Sequence, residues 1–130
     1  MAKILLIEDD EIQAQVYLTR LLGEGYSVTW SKDGEDGLKM ALENHPSLIL
    51  LDIRMPKMDG LTVMQELRKD EWGKKVPIII LTNLESNDEI LNHIAKDNPS
   101  YFLLKPSTNP EEIIEKINET LENPVKTETI

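Results

Sequence analysis

The sequence predicts an α/β protein: a five-stranded parallel sheet, doubly wound in the order 2-1-3-4-5 and covered on both faces by five helices. Three observations lead there. Short apolar runs alternate with stretches whose apolar residues recur at helical spacing, the pattern of a parallel sheet with helical crossovers. The runs are apolar almost without interruption, as strands buried on both faces must be. The first run, residues 4–7, has no polar residue to show to water and so belongs inside the sheet. With right-handed crossovers, the doubly wound order follows.

The expected strands are 4–7, 26–30, 48–51, 76–81 and 101–104. The helices are read from their buried faces. Ala14, Leu18, Leu21 and Leu22 define the first, and Leu38, Ala41 and Leu42 the second. Gly60, Val63, Met64 and Leu67 define the third, Ile90, Leu91, Ile94 and Ala95 the fourth, and Ile114, Ile117 and Leu121 the fifth. Each set follows the three-and-four spacing of a helix with one apolar stripe. Residues 1–122 read as one domain, and 123–130 (NPVKTETI) as a tail or the start of a linker.

A chain of 130 residues, 40% hydrophobic and 29% charged, can bury one sizeable core. Its 24 acidic against 14 basic residues leave a net charge of −10, which repels nucleic acid and anionic lipid at long range. The lack of cysteine excludes disulfides, thiol nucleophiles and cysteine-ligated metal, and fits a reducing compartment. His45 and His93 are too few for a multi-histidine metal site or a histidine-based triad. No stretch reads as a signal peptide or a membrane span. The expectation is a cytoplasmic protein that binds neither nucleic acid nor membrane directly.

In an open parallel sheet the functional crevice lies beyond the carboxyl ends of the strands. There the first strand delivers Glu8, Asp9 and Asp10, the third Asp52, the fourth Thr82 and Asn83, and the fifth Lys105 and Pro106. Singly, most have a plain structural reading. Asp10 suits the N-cap of the first helix, with Asp9 as the alternative. Thr82 could be a structural hydroxyl and Lys105 a solvated strand end. Glu8 is a poor cap, and Asp52 stands too far ahead of its helix to cap it. Together these residues bring acids, a hydroxyl and an amine to one edge. Two like charges ~4 Å apart cost about 4 kcal/mol at an effective dielectric of about 20. A hard cation such as Mg²⁺ relieves that cost; without it, one carboxyl would keep a shared proton. Beside such a cation, Asp52 is a credible nucleophile toward phosphorus. Charge neutralisation by Lys105 and a hydrogen bond from Thr82 would supply much of what phosphoryl transfer needs.

These residues resemble the receiver domain of bacterial two-component response regulators, over about residues 3–121. The most specific stretch is LILLDIRMPKMDG at 48–60, joined in order by KILLIEDDE, PIIILTN and FLLKP. The resemblance implies a flavodoxin-like receiver fold and a phosphorylation-dependent switch rather than a turnover enzyme. It makes Asp52 the phosphoacceptor and Asp9 the direct ligand of Mg²⁺, for which Mn²⁺ could substitute. Glu8 would act mainly through a metal-bound water, and Asp52 and the backbone carbonyl of Arg54 would complete the protein's ligands. Thr82 takes the place of the switch hydroxyl, Lys105 of the lysine that pairs with the phosphoryl group, and Phe102 of the aromatic switch residue. The Lys105–Pro106 bond is expected to be cis. A histidine kinase or histidine phosphotransfer protein would be the donor. The output face would be the fourth helix, fifth strand and fifth helix, from about 87 to 121. It would signal to a downstream protein or a fused output domain, and could form a homodimer.

Some positions depart from the family pattern. Arg54, Asn83 and Leu84 stand where side chains tune the phosphoryl lifetime. Asn98-Pro99 replaces a more usual Gly-Ala, and Phe102 lacks the hydroxyl of the more common Tyr. Tyr101 cannot replace Phe102, because neighbouring strand residues face opposite sides. Trp72 reads as a loop anchor, Trp30 as a lid of the second strand against a helix, and Asp59-Gly60 as a turn and cap. Two other functions compete. A Mg²⁺-dependent phosphohydrolase would favour an Asp-x-Asp pair, here broken as Asp52-Ile53-Arg54. Flavin binding would want a first loop rich in Ser, Thr or Gly rather than Glu8-Asp9-Asp10-Glu11.

Overall fold

The computed structural model describes residues 2–53, 55, 57–82, 99, 101–104 and 109–122, with the backbone only at 82, 102 and 104. The elements are β1 (Lys3–Ile7), α1 (Glu11–Gly23), β2 (Ser27–Ser31), α2 (Gly34–Asn44), β3 (Leu48–Leu51), α3 (Gly60–Arg68), β4 (Ile78–Thr82), β5 (Tyr101–Leu104) and α4 (Pro110–Glu122). Here α4 is the fifth helix of the sequence reading. The expected fourth helix (Ile90, Leu91, Ile94 and Ala95, with His93), the Asn98 turn and the tail 123–130 lie outside the described residues. The strands are all parallel, in the order β2-β1-β3-β4-β5. The doubly wound sheet is therefore as expected, with β1 inside it.

Side-chain alternation divides the sheet residues between two cores. Leu5, Ile7, Ile49, Leu51, Ile78 and Ile80 face α2 and α3. Ile4, Leu6, Leu48, Leu50, Ile79 and Leu81 face α1 and α4. This two-sided burial explains why the runs look uniformly apolar in sequence.

Two helix faces differ from expectation. In α1, Leu21 is 1% exposed but Leu22 is 57% exposed, and Tyr17 completes the buried stripe with Ala14. In α2, Leu42 is exposed, whereas Gly34 and Gly37 sit on the buried side with Ala41. Both leucines stand eight residues past a buried one, Ala14 and Gly34 respectively, where 3.6-residue periodicity has rotated them to the edge of the stripe. The third expected face is buried as read, with Gly60, Val63, Met64 and Leu67 in α3. Of the fifth, Ile114 and Ile117 are buried in α4 and Leu121 only partly, while Ile113 joins the buried side. α4 also buries Thr120, whose hydroxyl donates to the Lys116 carbonyl at 2.7 Å.

Strand boundaries shift for local reasons. β2 starts at Ser27 because the Tyr26 amide donates to Leu21 O at 3.2 Å and the Gly25 amide to Leu22 O at 3.0 Å. These two bonds close α1 in a Schellman turn, with Gly25 at φ +91°. β4 starts at Ile78, just after Pro77, which has no N–H for a ladder. Each described helix start that bears on the crevice has an aspartate cap. Asp10 accepts from Ile12 and Gln13 amides, Asp33 from Asp36 and Asp59 from Thr62. Asp10 is thus the cap of α1, and Asp59-Gly60 the turn and cap expected of it. Trp72 does anchor its loop, partly buried against the α2–α3 core and stacked on His45 at 4.4 Å.

Gly60 ties α3 to the chain leaving β3. Its amide donates to Ile53 O at 2.7 Å. A Cβ there would overlap the Asp52 carbonyl oxygen and approach Ile53 Cα to 2.8 Å. No helix among the described residues is long and apolar enough to cross a membrane.

Two outcomes test this packing. In urea unfolding, Leu21→Ala should cost about 2–5 kcal/mol, while Leu22→Ala should stay within about 0.5 kcal/mol of the native chain. Gly60→Ala should destabilise by more than about 1 kcal/mol, because backbone rather than a flexible side chain must move to admit the methyl group.

Candidate functional site

The site originates in strand register. Ile7 of β1 pairs with Leu51 of β3, so the residues just beyond each strand, Glu8 and Asp52, emerge side by side. The ladder runs one step further on both: the Glu8 amide donates to Ser31 O and the Asp52 amide to Ile7 O, each at 3.0 Å. One carboxylate oxygen from each of Glu8, Asp9 and Asp52 lies within 4.8 Å of the other two. Glu8 is 1% exposed and Asp52 7%, whereas Asp9 is exposed. The result is an acidic cup with a buried floor and an open rim. The Asp10 amide donates to Glu8 Oε2 at 3.3 Å, and the amino end of α1 adds its partial positive charge beside the cluster.

Three carboxylates at this spacing are hard oxygen donors, the set a small divalent cation prefers over a soft one. Their chemistry fits Mg²⁺ or Mn²⁺, with Glu8, Asp9 and Asp52 as the residues able to hold it. Asp52 also brings its carboxylate to the floor of the crevice.

The loop after Asp52 is pinned from below and from the side. Ile53 is buried, and Met55 and Met58 pack on the α2–α3 core. Lys57, at φ +69°, places its ammonium 3.6 Å from the carboxylate of Asp33, itself the cap of α2. Other expected site residues are only partly described. The backbone of Thr82 ends β4 opposite Leu104, the residue before Lys105. The side chains of Thr82 and Phe102 lie outside the described residues. So do Arg54, Asn83, Leu84, Lys105 and Pro106, and with them the expected cis bond and the three tuning positions. Tyr101 lies on the α1–α4 side of the sheet, where its hydroxyl donates to Glu119 of α4 at 3.1 Å. Burial, and then that bond with the Glu119 charge, push its phenol pKa up, while Lys116 pulls it down.

Two features escaped the sequence reading. Trp30 closes β2 over the α1 side as expected, but its indole Nε1 also donates to the carbonyl of Glu8 at 2.8 Å. The Lys57–Asp33 pair joins the two loops flanking the cup. Neither has a periodic or motif signal, since both depend on which loops the sheet order brings together.

A family model described as the response regulator receiver domain matches residues 4–118. Among curated proteins, the chain is 34% identical over 105 residues to the response regulator PleD of Caulobacter vibrioides, covering 81% of this chain and 23% of that protein. It is 38% identical over 119 residues to the probable transcriptional regulator ycf27 of Porphyridium aerugineum, covering 92% and 48%. The chain therefore spans half or less of the length of these relatives. Among solved structures, a CheY-like response regulator receiver domain protein from Methanospirillum hungatei superposes with a TM-score of 0.88 at 26% identity, covering 97% of this chain and 98% of that one. The chemotaxis response regulator CheY4 of Vibrio cholerae gives 0.84 at 29% identity, covering 93% and 99%. Receiver domains generally bind Mg²⁺ at an acidic pocket, and this chain carries an acidic cluster at the corresponding end of its sheet. With the motifs, the sheet order and the cup in agreement, the chain belongs to the response regulator receiver domain family, the signalling switches of two-component systems rather than turnover enzymes.

Proposed function

We propose that this chain is a phosphorylation-dependent switch that accepts a phosphoryl group on Asp52. The observation that carries the reading is the convergence of Glu8, Asp9 and Asp52 within 4.8 Å at adjoining strand ends. Family membership supplies the chemistry to which such a cup is suited.

The donor is the phosphohistidine of a histidine kinase or histidine phosphotransfer protein. An Asp52 carboxylate oxygen forms the new bond to phosphorus, the P–N bond to the donor imidazole breaks, and the imidazole keeps the electron pair. Mg²⁺, when bound, supplies positive charge against the oxygens of the group in transit. Asp9 would hold that ion directly, Glu8 mainly through a water, and Asp52 and the Arg54 carbonyl would complete the protein's share. Lys105 pairs with the phosphoryl group and Thr82 donates to one of its oxygens. The movement of Thr82 toward the new charge is coupled to Phe102, and it shifts the population of the face spanning about residues 87–121. Arg54, Asn83 and Leu84 set how readily water reaches the phosphoryl group. Residues 1–122 form the receiver unit, with 123–130 as tail or linker. The output is a downstream protein or a fused domain, with a homodimer through the same face as one route. The net charge of −10 disfavours direct contact with nucleic acid or membrane, and the setting is cytoplasmic.

Incubation with Mg²⁺ and acetyl phosphate should add one phosphoryl mass to the chain. Asp52→Asn should abolish the addition, and chelation of the metal should abolish it in the native chain. Labelling of Asp52→Asn at Asp9 or Asp10 would overturn the assignment of Asp52. Sustained turnover of general phosphoesters would favour the hydrolase reading instead.

A further inference from the structure

We propose that Trp30 is a positioning residue for the cation site: its indole N–H sets the peptide plane that carries Asp9, and so sets how tightly Mg²⁺ is held. The inference rests on the cation reading of the acidic cup.

The indole Nε1 donates to the Glu8 carbonyl at 2.8 Å. Glu8 lies one residue past β1. Its amide still joins the ladder, donating to Ser31 O at 3.0 Å, and the neighbouring Trp30 side chain then supplies the donor for its carbonyl. Both halves of the Glu8 backbone are therefore held from β2. A peptide unit is planar, so the Glu8 carbonyl and the Asp9 amide share one plane, and a bond to the oxygen restrains both. On the other side, Asp10 caps α1 through the amides of Ile12 and Gln13. Asp9 is thus held fore and aft through its backbone, although its side chain is exposed.

That restraint matters because Asp9 is the exposed partner of the three. Glu8 and Asp52 are buried, and an exposed carboxylate must be brought to them against its own conformational freedom. The indole is itself fixed. It packs on the core formed with Leu6, Ala14 and Tyr17, and the Lys32 ammonium lies 5.4 Å from its ring centroid. The indole N–H is neutral, so it acts through geometry and adds no charge to the cup. Outer donors that orient metal ligands are typically worth about 10–100-fold in affinity. A single neutral hydrogen bond to backbone belongs at the lower end.

The test uses the full chain with Mn²⁺ as probe, its dissociation constant read by electron paramagnetic resonance. Trp30→Phe should bind Mn²⁺ about tenfold more weakly. The Mg²⁺ concentration for half-maximal phosphorylation by acetyl phosphate should rise by the same factor, with the rate at saturating Mg²⁺ restored to that of the native chain. A merely structural role would lower the unfolding midpoint and leave the Mn²⁺ constant unmoved, which overturns the proposal, as does a rate that saturating Mg²⁺ does not restore. Should Trp30→Phe not fold, benzothienylalanine at position 30 keeps the bicyclic shape without the N–H. It should show the same weakening, and native affinity in that variant would equally refute the role of the hydrogen bond. Absence of Mn²⁺ binding by the native chain would instead remove the cation reading, and this inference with it.

Discussion

The in-register pairing of β1 with β3 is the constraint on which the molecule turns. Matching Ile7 to Leu51 buries Ile4, Leu6, Leu48 and Leu50 on one face and Leu5, Ile7, Ile49 and Leu51 on the other. The same match makes both strands stop at one level, so Glu8 and Asp52 leave the sheet together. A slip of one residue would exchange the two faces of one strand and displace one acid from the other. Hydrophobic burial and the acidic cup are therefore two consequences of a single alignment, and the cup is as well specified as the core beneath it.

Holding acids together is unfavourable, and the surrounding structure lowers the cost by several local means. Glu8 accepts a backbone amide from Asp10, and the amino end of α1 adds its partial positive charge at this end of the sheet. Asp10 and Asp59 are used as helix caps, and Asp33 is both a cap and the partner of Lys57. Of the aspartates near the crevice, these three have structural employment, whereas Asp9 and Asp52 lie in the cluster. The division follows from geometry: a cap must precede its own helix directly, and Asp52 is followed by a loop of several residues before Gly60.

That loop is the least regular described part of the site, yet it is strongly attached. Ile53, Met55 and Met58 are its apolar roots, and Gly60 brings the start of α3 against the Asp52 carbonyl. Across the cup, the Trp30 indole and the Asp33–Lys57 pair link the β2 end of the sheet to the β1 and β3 loops. The exposed Lys57 pair contributes little energy by itself. The buried roots and the indole bond do more to hold the strand ends at fixed separation, which a site built on three converging side chains requires.

How much was legible follows from how local each signal is. Alternation of unbroken apolar runs with helical stripes carried the element order, the parallel sheet and the inner place of β1, because a chain buried on both faces has no other composition available. The short motifs carried the acids at the ends of β1 and β3 and the cap at Asp59. Leu22 and Leu42 were misread because a helical stripe has edges, and where the stripe stops depends on what packs over it rather than on hydrophobicity. The starts of β2 and β4 shifted because Tyr26 spends its amide closing α1 and Pro77 has none to give. The indole contact of Trp30 with Glu8 and the ion pair of Lys57 with Asp33 join residues 22 and 24 positions apart in the chain. Composition and periodicity report what each segment will bury, while contacts between loops exist only once the sheet order has chosen the neighbours.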